Sequence, residues 1–344
     1  MAEGKAGGRV TIKDVADAAG VSRSTTSRAL TGRGYVAENV RRRVQSAAKR
    51  LGYVPDAVAR SLKQRHSPVI GVLVSDLSNA FYAELAAGAS HRIRQHNLGV
   101  LLADTAGEQD GEASAAEMFV SMRVAGVLVT PVGRAVVETL TSASVPTVEV
   151  DRFFAPELAD SVSVSNARGA ADMTSLLLEM GHSDIVLLLD ETDWITGQRR
   201  LDGFRQALAS AGLEVPDDAV VKAGWDVDAA MASTTEVLRR RRRPTAIFAA
   251  NNVLAEGAWR AINAAGLSIP DEISLAAFDE APWMSMVTPQ ITTVGQDAHQ
   301  LGDAAATLLL NRMNDLDRTA RSVELSTNLV RRGSVAPAPK QYGP

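Results

Sequence analysis

Carboxylate, amide and aromatic side chains follow several apolar runs of this chain, where they could bind a small polar molecule. Ser75, Asn79, Phe81 and Tyr82 follow the run VIGVLV (69–74), and Asp151 follows VPTVEV (145–150). Asn251 follows TAIFAA (245–250), and Asp279 follows ISLAAF (273–278). Several strand ends of this kind could converge on one ligand-binding crevice. Taken singly, each polar residue is also typical of loop solvation or helix capping. For Asn251 and Asp279 that alternative stays open.

The first 66 residues, called the head below, carry a charge opposite to that of the remainder, called the body. The head holds 14 Lys or Arg against 5 Asp or Glu, a net charge of +9, and the body holds 22 against 35, a net charge of −13. A basic segment on an acidic chain favours contact with a polyanion. Within the head, Arg23, Ser24, Ser27 and Arg28 could reach base edges and phosphates in a DNA major groove.

Composition and missing motifs exclude several classes of site. The 344 residues include no cysteine, which excludes disulfides, thiolate zinc sites and cysteine nucleophiles. There is no GxGxxG, P-loop, HExxH or GxSxG, and the five histidines show no metal-ligand spacing. We therefore expect no enzyme activity, no metal and no cofactor. No apolar run approaches the roughly 20 residues of a membrane span, and the N-terminus lacks a signal-peptide pattern. We expect a cytoplasmic protein with no membrane partner.

Three helices are predicted in the head. Apolar residues at positions 12, 15, 16 and 19 predict a first helix with Thr11 as its N-cap and Gly20 at its end. Ser22 can cap a second helix over Arg23–Leu30, and a third apolar stripe from Val40 to Leu51 ends before a glycine. Two short helices joined by a glycine-containing turn and followed by a supporting helix are typical of a helix-turn-helix.

A fourth, short helical segment follows the third helix. Pro55 and Asp56 precede about two turns of helical pattern that extend to Lys63. A helix of this length is marginal alone in water, so we expect it to order only against a partner. Leu62 could insert between base pairs in a minor groove. It could also pack onto the body or onto a second copy of the chain, and residue type alone favours this second interpretation.

Apolar runs alternate with helical patterns through the body. Further runs occur at 98–103, 125–130 and 185–189. None shows the alternation of apolar and polar residues that is typical of a sheet with one solvent-exposed face. Continuous apolar strands separated by helices predict parallel sheets covered on both faces. Two blocks, 68–163 and 164–295, predict an α/β body of two doubly wound lobes behind an all-α headpiece. Ligands of such sheets bind outside the carboxyl ends of the strands.

The head resembles the lactose-repressor (LacI/GalR-type) family of bacterial transcription regulators. The resemblance rests on Thr11–Ser22, Thr25–Gly32 and Arg50–Pro55. It implies that two residues at the start of the second helix choose the operator sequence and that a hinge leucine inserts at the operator centre. The implied DNA contacts are Thr11, Ser22, Arg23, Ser24, Thr25, Ser27, Arg28, Tyr53, Ala59 and Leu62. Thr26 departs from the family, which usually packs a valine there, and its hydroxyl should bond a carbonyl one turn back.

The body resembles the periplasmic-binding-protein-like regulatory domain of the same family, whose cleft binds a sugar, nucleobase or similar effector. Matching stretches are 70–71, 79–82, 150–152, 180–182, 200–204, 249–251 and 292–297. The resemblance implies that Arg200 and Asp279 hydrogen-bond effector hydroxyls, assisted by Asn251 and Gln296. It also places around the cleft Ser75, Asn79, Phe81, Tyr82, Asp151 and Trp225. Trp225 could equally anchor a lobe surface, and Asn252 stands where the family usually has aspartate.

These patterns together predict an effector-responsive transcription regulator, most simply a repressor. It would bind a near-palindromic double-stranded DNA operator as a homodimer and a carbohydrate effector in its cleft, and it would associate with the nucleoid. The predicted divisions are 9–55 (helix-turn-helix), 56–66 (hinge), 67–163 with 296–320 (first lobe), 164–295 with 321–335 (second lobe), and disordered ends at 1–8 and 336–344. The alternative is a sugar-binding protein or sugar-modifying enzyme whose basic N-terminus is incidental.

Overall fold

A computed structural model describes residues 10–32, 34–53, 67–190 and 194–339. The chain separates into two compact units, residues 1–67 and 68–344. The predicted hinge at 56–66, including Ala59 and Leu62, lies outside the described residues. In the part of the chain that the structure describes, no helix has the length and apolar character needed to cross a membrane.

The head contains the three predicted helices, α1 (Ile12–Ala19), α2 (Arg23–Thr31) and α3 (Glu38–Leu51). Thr11 caps α1 as expected: its hydroxyl accepts a hydrogen bond from the Asp14 amide, and the Asp14 carboxylate accepts one from the Thr11 amide at 2.8 Å. Gly20 then turns the chain with a φ of +61°, in the left-handed region that glycine tolerates best. The predicted helix-turn-helix is confirmed.

One small core holds the three helices of the head together. Val15 of α1, Ala29 of α2 and Val44 of α3 are buried against one another. Arg43 of α3 adds a polar tie, because its Nη2 donates to the Ala19 carbonyl at the end of α1 at 2.7 Å. A cation at a helix C-terminus also complements the helix dipole. The angle between α1 and α3 is thus set by packing and by a cap together.

Two lobes form the body, and each is built on a six-stranded sheet. The first lobe contains β1 (Val69–Val74), α4 (Ala80–Gln95), β2 (Gly99–Asp104), α5 (Gln109–Ser121), β3 (Gly126–Val129), α6 (Arg134–Ser142), β4 (Thr147–Val150), β5 (Asp160–Val164), α11 (Ala298–Asn314) and β11 (Ser322–Leu325). The second contains α7 (Asn166–Glu179), β6 (Ile185–Leu189), α8 (Ile195–Ser210), β7 (Val220–Lys222), α9 (Val227–Leu238), β8 (Ala246–Ala249), α10 (Asn252–Ala264), β9 (Ser274–Phe278), a 3-10 turn (Pro282–Ser285), β10 (Thr292–Gly295) and β12 (Asn328–Val330).

The two sheets have the same strand order. It runs β11-β5-β4-β3-β1-β2 in the first lobe and β12-β10-β9-β8-β6-β7 in the second, with only β12 antiparallel to its neighbour. Strand β4 therefore corresponds to β9, and β1 corresponds to β6. The chain passes between the lobes three times, at residue 165, at residues 296–297 and at residues 326–327. The predicted pair of doubly wound lobes is confirmed.

Two boundary predictions need correction. Residues 322–325 were assigned to the second lobe, but they form β11, which pairs with β5 at the edge of the first sheet. The reason is the buried Asp160 at the start of β5, which binds Arg312 near the end of α11 and Arg318 in the segment between α11 and β11. Residues 336–339 were expected to be disordered. Instead, the Ala338 amide donates to the Met180 carbonyl at 2.8 Å, and Nε2 of His182 bonds the Ala336 carbonyl at 2.9 Å.

Glycines allow helix pairs on the outer faces of the sheets to meet backbone to backbone. A Cβ on Gly302 of α11 would lie 2.0 Å from the Leu85 carbonyl oxygen of α4, and a Cβ on Gly88 of α4 would lie 2.0 Å from the His299 carbonyl oxygen. The same contact recurs in the second lobe between Gly203 of α8 and Ala167 of α7. Any larger residue at these positions must push the two helices apart.

Candidate functional sites

The exposed face of α2 carries the side chains predicted to read DNA. Arg23, Ser24 and Arg28 are exposed, and Thr25 and Ser27 are half-buried beside them. The helix contains no acidic residue, so this face is cationic at a helix N-terminus, where the dipole is also positive. Such a face can contact phosphates and present hydrogen-bonding groups to bases.

The capping residues of the head are themselves engaged. Ser22 Oγ accepts from the Thr25 amide at 3.1 Å and lies 2.9 Å from the hydroxyls of Ser24 and Thr25. Thr11 donates its hydroxyl proton to Asp14 at 2.7 Å. Both residues therefore hold the frame of α1 and α2, and their contact with DNA stays a prediction. The same is true of Tyr53, which is half-buried after α3.

Thr26 satisfies its buried hydroxyl in the predicted way. The residue is fully buried in the head core, and its Oγ1 donates to the Ser22 carbonyl, one turn back, at 3.0 Å. The departure from an apolar residue at this position therefore leaves no unsatisfied hydroxyl in the head.

A cavity of about 570 Å³ lies between the two lobes, at the carboxyl ends of the strands. Nine of the ten predicted effector residues line it: Asn79, Phe81, Tyr82, Asp151, Arg200, Trp225, Asn251, Asp279 and Gln296. The tenth, Ser75, is fully buried and bonds the Thr130 carbonyl at 3.2 Å instead of lining the cavity. This cavity, called the cleft below, falls within the roughly 300–1,000 Å³ of small-molecule sites.

Asp151 and Asp279 occupy equivalent positions in the two lobes. Asp151 follows β4 and Asp279 follows β9, and both adopt a φ of +68° and are buried. Non-glycine residues in this region are uncommon and cluster at functional sites. Burial raises the pKa of Asp151 to about 6, and the Asp279 charge adds to the rise while Arg152 and Arg200 oppose it. The two carboxyl groups thus share one electrostatic environment.

Arg200 is held by the protein itself. Its Nε donates to Asn166 Oδ1 at 2.9 Å, its Nη1 donates to the Ala250 carbonyl at 2.5 Å, and its guanidinium lies 3.7 Å from the centre of the Phe278 ring. Oδ1 of Asp279 lies 3.4 Å from Nη2 of Arg200, and it also accepts a hydrogen bond from Gln296 Nε2 at 2.5 Å. The Arg200 side chain is therefore held in place at the lining of the cleft, where it positions the Asp279 carboxylate.

Asn79 and Asn252 pair across the two lobes. Asn252 Nδ2 donates to Asn79 Oδ1 at 2.9 Å, and Asn79 Nδ2 donates back to Asn252 Oδ1 at 3.3 Å. Asn79 also caps α4 by accepting from the Phe81 amide. An aspartate at position 252 could not donate, so the departure from the family residue creates a reciprocal amide pair.

Several cleft residues were not among the predicted site residues: Arg152, Asp190, Trp194, Thr196, Asn252 and Trp283. Arg152 directly follows Asp151 at the end of β4, and Asp190 follows β6 as Ser75 follows β1. Strand-end position was therefore the available signal. Trp194 gave no such signal. It contacts the Trp225 ring edge-on, with centroids 4.5 Å apart, which places Trp225 inside the cleft despite its 39% exposure.

Tyr82 contributes a neutral hydroxyl to the cleft. Burial raises its pKa to about 12 and outweighs the opposing effect of the Arg152 charge. The phenol therefore keeps its proton at physiological pH and remains a donor.

Comparison with known proteins assigns both parts of the chain. Residues 11–56 match the model for bacterial regulatory proteins of the lacI family, and residues 174–335 match a periplasmic binding protein-like domain. The HTH-type transcriptional repressor PurR of Vibrio campbellii is 31% identical over 328 residues, which cover 94% of this chain and 98% of that protein. The ribose operon repressor of Escherichia coli is 31% identical over 331 residues, which cover 94% and 99%.

Solved structures give the same assignment. A Lac repressor dimer bound to operator and the anti-inducer ONPF has a TM-score of 0.85 and 27% identity, and the match covers 96% of this chain and all of that one. A complex of the transcriptional regulator CelR with cellobiose has a TM-score of 0.73 and 27% identity, with 95% and 100% covered.

Proposed function

Because this chain belongs to the LacI family of bacterial transcription regulators, we infer that it is a repressor that binds operator DNA as a dimer. The PurR and ribose operon repressors, which match this chain along 94% of its length, are repressors and not enzymes. This similarity disfavours the alternative that the chain is a sugar-modifying enzyme. Such a repressor acts in the cytoplasm, and we place it on the nucleoid. The α2 face offers few base contacts, so two heads related by a twofold axis would read two half-sites.

Arg23 and Ser24 are the proposed sequence-reading residues of the head. Both are exposed at the start of α2, the end of a recognition helix that contacts base edges. Selection of bound duplexes from a random library by the full-length protein should return an inverted repeat. Arg23→Ala should change the preferred bases. The control is Arg42, which lies on α3 with its Nε 3.4 Å from Glu38 Oε1. Arg42→Ala should leave the preferred sequence unchanged. A library that yields no symmetric sequence would contradict the proposal.

For the cleft, we propose a carbohydrate effector. The observation that carries this proposal is the convergence of nine predicted residues, with acids, amides and aromatic rings, on one cavity. Hydroxyls can bond the carboxylates while a sugar ring packs on Trp225 or Phe81. The CelR structure holds cellobiose, in line with this class of ligand.

A thermal-shift screen of the full-length protein against neutral sugars tests the effector site. At least one sugar should raise the melting temperature. The substitution Arg200→Met should abolish that rise, because Asp279 loses its positioning partner. Arg205→Met, an exposed arginine on the same helix, is the matched control and should keep it. An undiminished rise in Arg200→Met would move the effector site elsewhere.

The hinge at 56–66 is the proposed link between cleft and head. In one lobe geometry, the two hinges of the dimer would fold together and insert Leu62 into the minor groove, with Ala59 alongside. In the other geometry they would separate and lose order. The effector can drive this change only if it binds the two geometries unequally. Leu62→Ala should weaken operator binding while the sugar-induced thermal shift persists, and unchanged operator affinity would refute the insertion.

A further inference from the structure

The cleft contains buried polar atoms that the described residues leave without partners. Arg152 is 1% exposed and lines the cleft, and neither its Nε nor its Nη1 donates a hydrogen bond within the described ranges. Gln296 Oε1, also in the cleft, accepts none. Buried polar groups are nearly always hydrogen-bonded, and those that are not call for an explanation. Two donors and one acceptor at one cavity indicate a bound molecule that offers the complementary groups.

Arg152 is immobilised in a way that leaves these donors open. Its Nη2 donates to Ser75 Oγ and to the Thr130 carbonyl beneath the cleft. Its guanidinium lies 3.8 Å from the centre of the Trp194 ring, which belongs to the opposite lobe. Asp151 Oδ2 is 3.9 Å from Nε, too far for a hydrogen bond. The side chain therefore loses little further freedom when a ligand accepts from Nε and Nη1.

The surrounding charge disfavours an anion as that ligand. Two guanidinium groups line the cleft, those of Arg152 and Arg200, against six carboxylates: Asp76, Asp151, Asp190, Asp226, Glu256 and Asp279. Arg200 already donates to Asn166 and Ala250. A phosphate or carboxylate at Arg152 would meet several like charges in a partly dry site.

A neutral hydroxyl group meets every requirement. It accepts from Arg152 and donates its own proton to a carboxylate or to Gln296 Oε1. We propose that Arg152 is a specificity-determining residue of the cleft. Its free donors bind a hydroxyl of a neutral polyhydroxylated effector, and the carboxylates around them reject sugar phosphates and sugar acids. This inference rests on the proposed effector function and adds the residue and the charge class.

Calorimetry on the full-length protein tests the proposal with ribose and cellobiose as neutral probes. Ribose 5-phosphate and cellobionate are their anionic counterparts. At least one neutral probe should bind, and its anionic counterpart should bind more weakly. Arg152→Met should lower the affinity for the neutral probe by at least about tenfold, as expected for lost bonds to a charged donor. Arg152→Lys should not restore it, since an ammonium lacks the fixed directions of a guanidinium.

A monodeoxy series of the bound sugar separates recognition from structural damage. One deoxy analogue should bind wild type and Arg152→Met equally, because it lacks the hydroxyl that accepts from Arg152. Arg168→Met, which removes an exposed arginine outside the cleft, should bind like wild type. Operator binding by Arg152→Met shows that the variant folds.

The outcomes distinguish this proposal from the effector function. If neither ribose, cellobiose nor any other neutral sugar of the thermal-shift screen binds wild type, the sugar-effector proposal fails and this inference fails with it. If a sugar binds but Arg152→Met retains its affinity, or loses it equally for every deoxy analogue, only the role of Arg152 fails. Tighter binding of an anionic counterpart would overturn the charge class.

Discussion

Asp160 should be among the most costly positions of the body to neutralise. Its side chain is fully buried at the start of β5 and accepts from Arg312 at 2.7 Å, from Arg318 at 2.5 Å and from the Arg321 amide at 2.7 Å. The Arg312 and Arg318 side chains are themselves about 10% exposed or less. Asp160→Asn keeps the shape but leaves two buried cations without a counter-charge. Removing one partner of a buried pair costs about 3–5 kcal/mol.

Thermal unfolding followed by circular dichroism measures this cost. For a body of this size, the loss corresponds to a fall in melting temperature on the order of 10 °C. The control is Glu157→Gln, which neutralises a carboxylate that also pairs with an arginine, Arg134, but on the exposed surface. That variant should melt like wild type. If Asp160→Asn melted at the same temperature as Glu157→Gln, the ion pairs of Asp160 would not be what holds β11 to the first lobe.

The pH dependence of the same site has a defined sign. Burial by itself raises the pKa of Asp160, but hydrogen bonds from Arg312 and Arg318 overcome it and hold the pKa below its ordinary value of 3.8. The stability that Asp160 contributes is therefore complete above about pH 4 and is lost as pH falls through the lower folded-state value. Acid titration of wild type should show this loss, and Asp160→Asn should lack it.

Three further predictions concern packing, the head and the cleft. Gly302→Ala should destabilise the body by about 1–3 kcal/mol in denaturant titrations, because the added Cβ meets the Leu85 carbonyl oxygen. Gly99→Ala is the control and should cost less, because its Cβ would lie 3.6 Å from the nearest atom, Val69 Cγ2. Thr26→Val should raise the melting temperature of the head by a few degrees, since the Ser22 carbonyl keeps its bond to the residue-26 amide; a lower value would contradict this. Sugar affinity should rise between pH 5 and 7 as Asp151 ionises, and Asp151→Asn should flatten that slope in calorimetry.

The head was predictable because its signals are local. The Thr11 cap, the Gly20 turn and the Thr26 hydroxyl bond each involve residues within about four positions of one another. Their geometry follows from helix periodicity and capping rules. The strand ends of the body were predictable for a similar reason, since parallel strands deliver their carboxyl-terminal residues to one edge.

The features that sequence analysis missed depend on contacts between distant segments. The strand-end position of Arg152 could be read from the sequence, but its contacts with Trp194 of the opposite lobe and with the buried Ser75 could not. The four-residue β11 has no pattern that assigns it to either sheet, and its place follows from the contact of Asp160 with Arg312, 152 positions away. The alanine- and proline-rich end at 336–339 was misjudged because its backbone, not its side chains, makes the bonds.

The most direct test of the account is the dissociation constant of the full-length protein for its selected duplex, measured with and without a saturating sugar found in the thermal-shift screen. The sugar should change this constant by about five-fold or more in wild type. Arg200→Met should bind the duplex normally, and its dissociation constant should not respond to the sugar. A sugar that binds wild type yet leaves the DNA dissociation constant unchanged would contradict the coupling of cleft and head.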